Sequence, residues 1–261
     1  MTALDRTFIK AFRRRESDAD RPQPSAAGNG DAEETAALKP AESEAPDTIA
    51  VFPNWQWPSI CEELSRGAAE GFANLAAEIE DRRSRADRPV VALSASQAGV
   101  GCTSVFLTLA RTLAARAAHP LLLIDANSTG RTLHKRMRIT GIDELPSMSD
   151  LTPFRMIAQG LGVASLPKQV DEIRTAIAQL AKEFPLILID AGSVAAPVNA
   201  AAVWEAGVID TAILVDFDDH DIEQRNSAVE FLSEHAGEFL GVIETRRADL
   251  CTDVGWPRLT G

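Results

Sequence analysis

The apolar residues of the chain fall into short, repeated runs from Pro89 onward: VVALS (90–94), LLLID (121–125), GVASL (162–166), LILID (186–190), TAILVDF (211–217) and FLGVIE (239–244). The runs are continuous rather than alternating, the pattern of strands buried on both faces. Stretches with helical periodicity separate them, near 102–117, 168–183, 197–206 and 220–235. This alternation predicts an α/β fold, a mostly parallel sheet flanked by helices on both faces. Right-handed crossovers then gather the strand-to-helix loops along one sheet edge, where ligands of such folds bind.

Before Pro89 the pattern changes. In residues 1–15, Leu4, Phe8, Ile9 and Phe12 share one helical face, while Arg6, Lys10 and Arg13 to Arg15 make the segment basic. Two readings stand side by side: a frayed terminus with chance periodicity, or a helix that docks on a partner protein or weakly on anionic lipid. Residues 16–50 are rich in Asp, Glu, Ala, Pro and Gly, cannot bury enough surface to offset ordering entropy, and read as a disordered acidic linker. Trp55 and Trp57 sit among prolines in an extended strap expected to pack onto the domain. Ile60, Leu64, Phe72, Leu75 and Ile79 form the apolar stripe of a helix from Ser59 to about Arg85. The expected organisation is thus an amphipathic basic segment (1–15), a linker (16–50), a strap and N-terminal helix (51–88), an α/β domain (89–247) and a tail (248–261).

Composition narrows the function classes. A formal net charge of −12 argues against broad nucleic-acid affinity, which needs clustered Lys and Arg. Cys61, Cys102 and Cys251 lie far apart with no metal-ligand spacing and read as reduced thiols. No apolar run approaches the roughly 20 residues of a membrane span, and no signal-peptide core is present. The expectation is a cytoplasmic protein whose contact with the inner membrane is peripheral and made through a partner.

The chemistry concentrates in "SASQAGVGCTS" (94–104), which follows an apolar run and opens a helical one. A glycine loop between strand and helix is how backbone N–H groups cradle phosphate. Gly99, Val100, Gly101, Cys102, Thr103 and Ser104 are therefore the candidate nucleotide-binding residues. Asp125 and Asp190 end strands on the same predicted edge, where a carboxylate beside such a loop holds Mg²⁺. Thr103, Asp125 and Asp190 are the conditional Mg²⁺ ligands, and the two aspartates the catalytic residues if the site is active. Loop and aspartates in this order, spaced by whole strand–helix units, predict a P-loop NTPase fold.

Over about residues 59 to 247 the sequence resembles the cytoplasmic ATPase domain of bacterial tyrosine kinases (BY-kinases) of capsular and exopolysaccharide export, within the ParA/MinD group. "VVALSASQAGVGCTSVFLTLARTLA" resembles the family's strand, A-x-P-G-E-G-K-[ST] loop and helix. "LLLIDANSTGRTLHKRM" is similar to its D-A-D-L-R-x-P-x-L-H segment, with Asp125, Ala126, Leu133 and His134 in register. "SMSDL" (147–151) resembles the segment that follows, "FPLILIDAGSV" the Walker B strand, and "EGFANLAAEI" (70–79) a helix carrying E-x-x-R-x-x-R.

The departures from the family pattern are related to one another. Cys102 stands where the loop lysine belongs, and Asn127 where the segment's second aspartate belongs. Ala73 and Ala76 replace the assembly arginines, although Glu70 remains. Thr245, beside Glu244, falls where the adenine-reading asparagine is expected. The sequence contains no tyrosine, so tyrosine autophosphorylation has no acceptor in it. Losing one electrostatic stabiliser of transferring phosphate commonly costs about 10²–10³ in rate. Arg131 or Lys135 are the nearby cations that could substitute.

Cys102 carries two readings: a small residue tolerated once lysine is dispensable, or a thiol of lowered pKa at a helix N-terminus that senses redox state, with His134 or His220 as neighbours. The resemblance and its departures together lead to a pseudo-ATPase or pseudokinase that acts through proteins in exopolysaccharide synthesis or export. Its expected partners are a membrane-embedded polysaccharide synthase or chain-length regulator, or an active ATPase paralogue, and not nucleic acid. ATP or ADP with Mg²⁺ is the implied cofactor, weakly held. The alternative is an active ATPase of ParA/MinD or BY-kinase type that dimerises on Mg-ATP.

Overall fold

The computed structural model describes residues 55–85, 89–117, 119–126, 132–139, 154–158, 160–195, 200–218 and 221–246. The basic segment 1–15, the linker 16–50, Ser147 to Leu151, Asn127, Arg131, His220, Cys251 and the tail lie outside the described residues.

Two helices come first, α1 (Ser59–Gly67) and α2 (Ala69–Arg85). One helix was expected here; Ala68 leaves helical geometry at φ −140°, ψ 37° and ends α1 directly after Gly67, a residue that costs a helix about 1 kcal/mol. Then follow β1 (Val90–Ala95), α3 (Cys102–Arg116), β2 (Leu121–Asp125), α4 (Thr132–Met137), β3 (Phe154–Ala158), β4 (Leu161–Ser165), α5 (Val170–Glu183), β5 (Leu186–Ser193), α6 (Ala201–Glu205), β6 (Thr211–Phe217), α7 (Ile222–His235) and β7 (Glu238–Thr245). The expected strands are all present. Helix α4 and strand β3 were not foreseen.

The strands form one seven-stranded sheet in the order β3-β4-β2-β5-β1-β6-β7. Every pairing is parallel except β3 with β4. The six residues of β1 are all buried, as a central strand requires. Alternate residues point to opposite sides and build two cores. Val91, Leu93, Leu121, Leu123, Leu186 and Leu188 join α2 and α3 in one. Ala92, Leu122, Ile124, Ile187 and Ile189 join α5, α6 and α7 in the other. A mostly parallel sheet with helices on both faces is the P-loop ATPase architecture that the sequence predicted.

This alternation also sets the functional edge. Asp125 continues the parity of Leu121 and Leu123, and Asp190 that of Leu186 and Leu188, so both carboxylates face the α3 side. The strap behaves as expected: Trp55 and Trp57 pack on the first core with ring centroids 4.8 Å apart, and Trp55 Nε1 donates to Met137 O at 3.1 Å.

Candidate functional site

The connection from β1 to α3 is the glycine loop, at the middle of the sheet edge. Gly99 and Gly101 have φ of 90° and 89°, in the left-handed region that residues with a Cβ adopt at a cost. A Cβ at either would meet nothing within 4 Å, so conformation, and not space, demands glycine. Gly101 is the N-cap of α3, and its carbonyl accepts from Ser104 N at 2.9 Å and Val105 N at 3.0 Å. Val100 is buried and its carbonyl accepts from Thr245 Oγ1 at 2.9 Å.

Cys102 is buried and its Sγ lies 3.9 Å from Asp190 Oδ1. Burial, then the Asp190 charge and the hydrogen bond to it, push the thiol well above its ordinary pKa. The reading of a lowered pKa is therefore corrected. The helix N-terminus favours thiolate by a modest amount, and desolvation beside a carboxylate outweighs it. His134 turns to Asp125 instead, so no thiol–imidazole pair forms with it.

Thr103 Oγ1 donates to Asp190 Oδ2 at 2.8 Å, and Gly192 N donates to Oδ1 at 3.3 Å. Burial pushes the Asp190 carboxyl up to about 6; the Asp125 charge adds to this, and the hydrogen bonds from Thr103 and Gly192 oppose it. Asp125 pairs in register with Asp190 on one side and Ser165 on the other. Its Oδ2 accepts from Leu133 N at 3.1 Å and His134 N at 3.4 Å, which satisfies donors at the start of α4. His134 Nδ1 lies 3.0 Å from the same oxygen, and His134 Nε2 lies 3.5 Å from Ser165 Oγ.

The expected Mg²⁺ ligands Thr103, Asp125 and Asp190 are thus on one edge, and their oxygens are of the hard type Mg²⁺ prefers. Thr103 and Asp125 are engaged inside the protein, and no group of three or more His, Cys, Asp or Glu among the described residues is arranged to hold a metal ion. The triphosphate cradle fits less well, because position 102 offers a neutral thiol where an ammonium is needed. Lys135 is exposed on α4. Thr245 is not available to read a base: its hydroxyl is shared between Val100 O and Asp216 O, at 2.9 and 3.2 Å.

Elsewhere, Glu70 is exposed, Ala73 half-buried and Ala76 fully buried on the core side of α2. An arginine at 76 would enter the core, so this helix face has become structural. Sequence reasoning missed Ser96, Ser165, Asp216 and Arg225. Asp216 had a signal, since it closes a buried apolar run just as Asp125 and Asp190 do. Ser96 Oγ donates to Asp216 Oδ1, and Arg225 Nε donates to Asp216 Oδ2 at 2.7 Å.

No family model matches the chain, and no curated protein sequence matches it. Solved structures do. The kinase domain of the Escherichia coli tyrosine kinase ETK superposes with a TM-score of 0.58 at 17% identity, covering 82% of this chain and 100% of that one. The VpsO kinase domain gives 0.51 at 22% identity, covering 67% and 94%. The BceF tyrosine kinase domain gives 0.51 at 18% identity, covering 66% and 76%. At such identities the likeness concerns the fold: the chain has the P-loop ATPase fold of tyrosine kinase domains of the BY-kinase type.

Proposed function

We propose that this protein is a P-loop-fold pseudoenzyme that acts through protein partners in bacterial exopolysaccharide synthesis or export. The observation that carries the reading is Cys102. A buried, protonated thiol directed at Asp190 occupies the place of the cation that would meet the β- and γ-phosphates. Around it two groups that serve nucleotide in an active site are engaged with the protein itself: Asp125 with the start of α4, and Thr245 with Val100. Loss of one such cation alone commonly costs about 10²–10³ in rate. The fold shared with kinase domains and the absence of tyrosine from these 261 residues support a role in which the architecture is kept and the phosphotransfer is not. A membrane-embedded synthase, a chain-length regulator or an ATPase paralogue is the proposed class of partner, and any contact with the inner membrane is made through it.

The second reading, an active ATPase dimerising on Mg-ATP, is favoured by the Thr103–Asp190 contact, which sits where Mg²⁺ would enter. Calorimetric titration of ATP and ADP with Mg²⁺, alongside a phosphate-release assay, decides between them. The wild type is expected to bind weakly or not at all and to release no phosphate above background. Cys102→Lys is expected to bind at least about tenfold more tightly, a single charge–phosphate contact being worth at least about 1.4 kcal/mol. Micromolar ATP affinity with hydrolysis by the wild type overturns the proposal.

A further inference from the structure

The flank of the glycine loop away from Asp125 holds a partly buried polar chain whose members come from four separate segments. Asp216, fully buried at the end of β6, accepts from Ser96 Oγ, from Phe217 N at 2.9 Å and from Arg225 Nε at 2.7 Å. Arg225 stands in the first turn of α7. Its other nitrogens reach Glu244 Oε1 at 2.9 Å and the Phe217 carbonyl. One residue further along β7, Thr245 holds the Val100 carbonyl. The loop is therefore tied at its start through Ser96 and near its end through Val100, and both ties lead to the ends of β6 and β7.

We propose that Arg225 is a latch through which the first turn of α7 controls the opening of the glycine loop. Asp216 and Glu244 are register partners across β6 and β7, so two carboxylates stand side by side at the end of the sheet. Like charges directly opposite one another destabilise a strand pair, and here the Arg225 guanidinium bridges them. If α7 shifts and withdraws Arg225, the carboxylates repel and the end of β7 parts from β6. Thr245 then leaves Val100, and the Asp216 carboxylate, drawn after the departing guanidinium, turns away from Ser96. The loop loses both ties together. The first turn of α7 is accessible to whatever would move it: Ile222 is 70% exposed, the one large apolar side chain so exposed among the described residues. The latch operates whether or not nucleotide enters the site.

Cys102 reports the loop and Cys61, on the buried face of α1, reports the core. The full chain is treated with iodoacetamide under native conditions and the modification of each cysteine is followed by peptide mass spectrometry, with hydrogen exchange of amides 98–102 in parallel. Arg225→Ala is expected to raise Cys102 labelling and loop exchange about tenfold or more, with Cys61 labelling and exchange in β2 unchanged, as local opening requires. Adding Glu244→Gln to Arg225→Ala is expected to reverse part of that rise, because one of the two repelling charges is gone. If Arg225→Ala does not fold, Arg225→Lys, which keeps the charge but not the fork, is expected to give an increase of about threefold at the loop alone. Unchanged Cys102 labelling, a parallel rise at Cys61, or no recovery in the double variant overturns the proposal.

Discussion

Replacing Asp190 by Asn should remove the acid-side gain in stability that this carboxyl contributes. Asp190 is 2% exposed, and its carboxyl is pushed up to about 6 from a usual value of 3.8, by burial first and then by the Asp125 charge. Because the folded value lies above the unfolded one, the native state holds a proton that the unfolded chain has released. The stabilisation is full below about pH 4 and is lost as pH rises through about 6. Two units correspond to about 3 kcal/mol in all, of which about 2 kcal/mol falls between about pH 4.5 and about pH 7.5. The wild type should therefore lose that amount of unfolding free energy over this interval relative to Asp190→Asn. Asn also alters the contacts with Thr103 and Gly192, but those changes are nearly independent of pH and cancel in the difference. Urea unfolding of both proteins across the interval, followed by tryptophan fluorescence and circular dichroism, measures it. Parallel stability curves for the two proteins would refute the reasoning.

Two further substitutions test the packing that presents the site. An ideal Cβ on Gly162 would lie 2.9 Å from Phe184 Cζ and 3.1 Å from Leu122 Cδ1. Gly162→Ala should therefore cost about 1–3 kcal/mol in urea unfolding, and the double variant with Phe184→Leu should cost less than the two singles together. Trp55→Phe removes the donor to Met137 O and should lower stability by about 1 kcal/mol. An unchanged urea midpoint would count against the strap as a tie to α4.

The sheet was legible because buried strands announce themselves: LLLID and LILID read as strands by composition alone, and each closes on a carboxylate at the functional edge. The glycine turn was equally plain, since Gly99 and Gly101 adopt the left-handed geometry that favours glycine. What stayed hidden was set by long-range contact. Helix α4 is only six residues long, and its Leu133 amide is held by Asp125, eight residues upstream. Strand β3 exists because β4 offers an open edge for it to pair with. Nothing in the sequence pairs Ser96 or Arg225 with Asp216; the fold brings both to it. The direction of the Cys102 shift was missed for the same reason: helix position is visible in the sequence, while burial against Asp190 is not.

The raised Asp190 and the missing lysine are two views of one substitution. An ammonium beside a buried carboxylate favours its ionised form, and in a loop that carries lysine this keeps the aspartate ready for a metal. With Cys102 in that place the neighbour is neutral, so burial and the Asp125 charge outweigh the hydrogen bonds from Thr103 and Gly192 that oppose them. Cys102→Lys should then do more than improve nucleotide affinity. With no ligand added it should draw the Asp190 carboxyl back toward its usual range and flatten the fall in stability between about pH 4.5 and about pH 7.5. Gain of ATP binding without that flattening would mean the new ammonium points away from Asp190 toward solvent. Flattening without ATP binding would mean that the charge is restored but the nucleotide site is not. Both effects together would trace the perturbed carboxylate and the weakened phosphate cradle to the same residue.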